Sequence, residues 1–90
     1  MRISRKCRVS GRVQGVYYRA SAQARARELR ITGHARNLED GSVEVLACGA
    51  PRDVEEFIAW LSVGPARARV DAVQVSPHEP DVWPPDFSTG

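Results

Sequence analysis

The chain has 90 residues, enough for one small domain with a thin core, since a fold of this size buries roughly 60–65% of the surface its unfolded form exposes. Hydrophobic content of 42% and charged content of 27% are ordinary for a globular chain. No apolar run approaches the ~18–20 residues of a membrane span and no signal-peptide pattern opens the sequence, so the expectation is a cytoplasmic protein with no membrane partner. A formal charge of +2 is too small to argue for nucleic acid, and the basic residues, all arginine except Lys6, are spread along the chain.

In chain order, Arg5 to Ser10 alternates basic or polar with apolar residues and reads as a half-buried strand. The N-terminal run Arg2, Arg5, Lys6, Arg8 and Arg12, the densest basic cluster, reads as a solvated strand face. A loop with two glycines, Gly11 and Gly15, follows. It runs into an amphipathic helix expected from about Tyr18 to Arg30, with the stripe Tyr18, Ala22, Ala26 and Leu29. Glycines let backbone N–H groups approach a ligand, and a helix N-terminus adds unpaired N–H groups and the positive end of the macrodipole. Arg19 at that seam makes the loop a candidate cradle for a dianion such as a phosphoryl group.

A second strand is expected over about His34 to Leu38 and a third over about Ser42 to Ala47. They are joined by the hairpin turn Glu39-Asp40-Gly41-Ser42 and are therefore antiparallel. Pro51 opens a second helix, Asp53, Glu55 and Glu56 suit its positive end, and Val54, Phe57, Ile58 and Leu61 form its apolar stripe. Trp60 reads as a packing residue beside that stripe. Gly64-Pro65 breaks the helix, and Val70 to Val75 reads as a fourth strand. From Ser76 the tail carries Pro77, Pro80, Pro84 and Pro85, which predicts an extended wrap with at most a short edge strand near Asp86 to Ser88.

The order β-α-β-β-α-β is the split βαβ arrangement. It predicts an α+β, ferredoxin-like sandwich: a mainly antiparallel four-stranded sheet, with a possible short fifth edge strand, and both helices on one face. Strands one and three then lie side by side at the centre. Strand parity puts Cys7 on the core face and sends Cys48 outward, which predicts two free thiols. His34 and His78, far apart in sequence, read as surface residues. No acidic cluster suggests a metal, and Gly11 to Gly15 is one residue too short for a nucleotide-binding P-loop.

The run Gly11-Arg12-Val13-Gln14-Gly15-Val16-Tyr17-Tyr18-Arg19 resembles the first signature of the acylphosphatase family. Gly33-His34-Ala35-Arg36-Asn37-Leu38, followed by Asp40-Gly41-Ser42-Val43-Glu44-Val45, resembles the second, and Gly64 to Val70 resembles the lead into the last main strand. The resemblance implies hydrolysis of small acyl phosphates to a carboxylate and inorganic phosphate, with no metal and no cofactor. It implies that Arg19, with backbone N–H groups of the loop Arg12, Val13, Gln14, Gly15, Val16, Tyr17 and Tyr18, binds the phosphoryl oxygens. It implies that Asn37 orients the attacking water, that inorganic phosphate or sulfate occupies the same cradle, and that the chain acts as a monomer. Arg30 stands where glycine often closes the helix, so a left-handed cap there would be strained.

Two other classes fit the fold. One is a non-catalytic phosphate or carbamoyl-phosphate sensor, which retention of both Arg19 and Asn37 disfavours. The other is an RNA-binding module, which would stack bases on sheet aromatics that strands one and three lack.

Overall fold

A computed structural model describes Met1–Gly90 throughout. The elements run β1 (Ile3–Arg12), α1 (Tyr18–Glu28), β2 (Thr32–Asn37), β3 (Val43–Gly49), α2 (Pro51–Leu61), β4 (Arg69–Pro77) and β5 (Phe87–Thr89). The five strands form one sheet in the order β4-β1-β3-β2-β5. β1 pairs antiparallel with β3 and β4, β2 pairs antiparallel with β3, and β5 joins the edge parallel to β2. This is the ferredoxin-like α+β architecture, with the short edge strand realised as a fifth member of a mixed sheet.

Both helices pack on the face that carries Cys7, Val9, Val43, Val45 and Ala47, each fully buried. α1 lies over β2 and β5, and α2 over β1 and β3. The small side chains Ala22 and Ala26 bring α1 close to the sheet, whereas α2 fills its share with Val54, Phe57 and Leu61. Phe57 is the hinge of an aromatic cluster, edge-on to Phe87 from β5 at 5.7 Å and stacked with Trp60 at 6.3 Å. Edge-to-face and stacked rings add to the apolar area they bury.

α1 stops at Glu28, two residues before the expected end, because the chain turns left-handed at Arg30 with φ 57°. The Ile31 N–H then donates to the Ala26 carbonyl at 2.8 Å, closing a Schellman cap on a non-glycine residue. The tail from Pro77 to Asp86 crosses to the far edge, where Gln23 of α1 donates to the Phe87 carbonyl at 2.8 Å and Arg27 pairs with Asp86 at 3.0 Å.

Two expectations about the open face of the sheet need correction. Cys48 does point away from the helices, yet it is fully buried. It sits on the central strand in a row with Ser4 and Thr32, its sulfur 3.3 Å from the Ser4 hydroxyl. Arg2 reaches across that row to Thr32, and Trp83 of the tail stacks on the Arg2 guanidinium at 5.0 Å. His34 is not a bare surface residue either, since its Nε2 lies 3.0 Å from Glu44 Oε2 and its side chain is mostly covered. Both cysteines are free thiols.

Candidate functional site

The last residues of β1 determine how the loop leaves the sheet. The register against β4 slips between Ser10 and Gly11, so β1 carries a bulge there. A Cβ on Gly11 would lie 2.2 Å from the Arg69 carbonyl oxygen, so only glycine allows the two strands to stay this close. Val13 and Val16 then turn inward and are almost fully buried. Their side chains anchor the loop in the core. Gly15 turns the chain with φ 74°, and Tyr17 repeats the left-handed conformation at φ 62°, ψ 23° as the N-cap of α1.

Left-handed backbone is costly for a bulky residue and concentrates at functional sites. In addition, no side chain caps α1, and no acidic residue occupies its first turn. None of the N–H groups of Val13, Gln14, Gly15, Val16 or Tyr17 donates to a carbonyl of the chain, and the first bond at the helix start is Ser21 N–H to Tyr17 C=O at 3.0 Å. The amides of Tyr18, Arg19 and Ala20 are the orphan donors of the first turn. A run of free N–H groups therefore leads into the positive end of a helix.

Arg19 projects from that first turn. Several other arginines make no polar contact, but Arg12, Arg30, Arg36, Arg52 and Arg67 are all exposed, while the half-buried Arg5 and Arg25 are bonded to Ser4 and to Glu28 and Glu56. Arg19 alone is half-buried and has no partner. Two adjacent tyrosines diverge. Tyr18 is buried and donates its hydroxyl to the Leu61 carbonyl at 2.7 Å, tying the base of the loop to the end of α2. Tyr17 is 76% exposed beside the amides.

Asn37 ends β2, opposite Val43, which in turn lies opposite Val9 of β1. It is exposed, and its side chain makes no hydrogen bond within the chain. What joins its strand end to the loop is Gln14. The Gln14 amide nitrogen donates to the Leu38 carbonyl at 2.8 Å and to the Ser42 carbonyl at 2.9 Å, the two residues that close the β2–β3 hairpin. The loop and the neighbourhood of Asn37 are thus physically coupled. The family resemblance implicates only the backbone of Gln14; the one sequence signal for its side chain is a polar residue between two valines, both buried here.

The remaining titratable groups of the core are inert. Burial pushes the Cys7 thiol up to about 11 even against the field of Arg5, so it carries no thiolate at neutral pH. Burial likewise raises Tyr18, which stays a hydrogen-bond donor. On the open face, burial opposes the charge of Glu44, but the His34 hydrogen bond and the field of Lys6 outweigh it and hold the carboxyl below its ordinary value. The largest concavity, about 410 Å³, also lies on that open face against Lys6, Arg8, Glu44 and Gln74, not at the loop. A shallow cup of amides does not need a deep cavity to grip a small anion.

Sequence similarity to known proteins points to one family. The acylphosphatase family model matches residues 5–89. The acylphosphatase of Halorhodospira halophila is 51% identical over 85 residues, covering 94% of this chain and 91% of that protein. The solved acylphosphatase of Coxiella burnetii superposes with a TM-score of 0.92 at 35% identity, covering 99% of this chain and 93% of that one. That of Bacillus subtilis gives 0.93 at 29% identity, covering 100% and 99%. A match of this extent, with the glycine loop and the Asn37 hairpin inside it, means that the chain belongs to the acylphosphatase family.

Proposed function

We propose that this acylphosphatase hydrolyses small acyl phosphates by holding the phosphoryl group in the loop amides and on Arg19 while Asn37 aims the attacking water. The observation that carries this reading is the coincidence of two unmet demands at one place. Val13 to Tyr17 carry backbone donors with no acceptor in the chain, and the half-buried Arg19, two residues further on in the first turn of α1, has no anion of its own. A dianionic phosphoryl group satisfies both.

Phosphoryl transfer proceeds through a loose, in-line transition state, so positioning and charge stabilisation carry most of the catalysis. Donors already fixed by the buried Val13 and Val16 need no reorganisation as charge builds on the equatorial oxygens. The leaving group is a carboxylate whose acid has a pKa of about 4, so no general acid is required. The Asn37 side-chain oxygen accepts a hydrogen bond from the water and orients it, but an amide is too weak a base to take the proton. That proton passes to an oxygen of the phosphoryl group. The bond that forms is water oxygen to phosphorus, and the bond that breaks is phosphorus to the carboxyl oxygen. The products are the carboxylate and inorganic phosphate.

On this reading no metal takes part, product phosphate and sulfate compete for the cradle, and one chain supplies every group, so a monomer suffices for activity. Purified protein incubated with acetyl phosphate should release phosphate at the same rate with and without a chelator. Retained phosphate binding without turnover would instead make the chain a sensor.

A further inference from the structure

We propose that the Gln14 side chain is a positioning residue that sets the distance between Asn37 and the phosphate cradle. The inference rests on the reading of Asn37 given above. Its basis is the hydrogen-bond inventory at the β2–β3 hairpin.

The Leu38 carbonyl accepts from the Gly41 N–H at 3.2 Å, and the Ser42 carbonyl accepts from the Leu38 N–H at 2.9 Å. Each of these oxygens has a second lone pair. Gln14 fills both with the two hydrogens of one amide nitrogen, at 2.8 Å and 2.9 Å. Both partners are acceptors, so only the NH₂ group of the amide fits here and the orientation of the side chain is unambiguous. One loop residue therefore bonds both carbonyls that define closure of the turn, and Asn37 is the residue immediately before it.

The opposite side of the turn is braced separately. Asp40 accepts from the Ser42 N–H at 3.0 Å and pairs with Arg8 of β1. The hairpin is thus held to the strand beneath it by Arg8 and to the glycine loop by Gln14. Removing Arg8 would loosen the turn from the sheet. Removing Gln14 would leave the turn closed and uncouple it from the loop alone. The cradle itself, built on buried Val13 and Val16 and on the start of α1, does not depend on those two bonds.

Near-attack geometry is steep, and a displacement of about 1 Å can cost roughly a hundredfold in rate. Gln14→Met keeps the length of the side chain without its donors, and Gln14→Glu keeps a polar head that can only accept. Each variant would be assayed for kcat on acetyl phosphate and for the inhibition constant of inorganic phosphate, alone and combined with Asn37→Ala. The expectation is a fall in kcat of about tenfold or more, a change in the phosphate constant below about threefold, and less than about twofold further loss when Asn37 is already alanine.

Unchanged kcat in Gln14→Met would overturn the proposal. So would kcat and phosphate affinity falling together, or a full Gln14 effect persisting in the Asn37→Ala background, because the amide would then serve the cradle or the fold. Asn37→Ala alone tests the underlying reading separately: if it leaves kcat intact, water orientation by Asn37 is wrong whatever Gln14 does. A folding defect would lower the fraction of phosphate-binding sites rather than kcat per site, so counting sites by phosphate titration keeps the outcomes apart.

Discussion

Helix α2 begins in the way that favours helix stability. Pro51 at its first position has no N–H to leave unmet, and Asp53 places a negative charge in the first turn beside Arg52. Helix α1 begins in the opposite way. Its N-cap is a tyrosine in left-handed conformation, no carboxylate sits in its first turn, and Arg19 adds positive charge where the dipole is already positive. Neither start has a side-chain cap, but the first turn of α2 carries a carboxylate of its own beside its arginine, whereas that of α1 carries the arginine alone. The contrast locates the site more sharply than any cavity does.

If that contrast is functional, the largest effect comes from its cation. Arg19→Gln should reduce acyl phosphate turnover by about 10³-fold or more, in line with the loss of an arginine from a phosphoryl-transfer site. Phosphate inhibition should vanish with it. The same variant should be slightly more stable, by about 0.3–1 kcal/mol, because a cation near the helix N-terminus is unfavourable. Thermal melts without phosphate check the second half, and a destabilised Arg19→Gln would mean that the arginine is a packing residue.

Asn37→Ala comes next, with a fall in kcat of about 10²–10³-fold and phosphate affinity nearly unchanged. Steady-state kinetics with phosphate as inhibitor measures both numbers. Equal loss of the two would assign Asn37 to binding or structure.

The C-termini of the helices extend the contrast at smaller scale. α2 closes on Gly64, φ 71°, whereas α1 closes on Arg30, φ 57°. Left-handed geometry costs a side-chain-bearing residue about 1–2 kcal/mol, and glycine recovers that less roughly 0.5–1 kcal/mol of extra freedom in the unfolded chain. Arg30→Gly should therefore stabilise by up to about 1 kcal/mol and raise the melting temperature by several degrees, with activity unchanged. The smallest effect belongs to the neutralised end. Asp53→Asn should cost about 0.3–1 kcal/mol, should fade as salt is added, and should leave turnover untouched.

Much of this was legible in the sequence because the signals are local. The alternation in β1, the Asp40-Gly41 turn and the stripe of α2 each act within a few residues, and they fix the strand order once crossovers are considered. The strained cap at Arg30 was legible only through the family resemblance, which puts a glycine there; the local pattern ran the helix on to Arg30 itself. The burial of Cys48 was not readable, since its partner Ser4 is far away in the sequence and the Arg2–Trp83 pair joins the two ends of the chain. Nor was the clamp from Gln14, whose partners Leu38 and Ser42 lie more than twenty residues away. Side-chain bonds between distant segments leave no periodicity behind them. The role expected of the loop concerned its backbone, and the glycine pattern carries that information without any knowledge of the neighbouring hairpin.

The central claim is that α1, and not α2, presents an anion-binding terminus. A titration of inorganic phosphate followed by backbone amide NMR tests it most directly. The account predicts saturable shifts concentrated on Val13 to Ala20, with little change at Arg52 and Asp53, and their loss in Arg19→Gln. Shifts centred on α2 or on the open face around Lys6 and Arg8, with the loop amides silent, would contradict it.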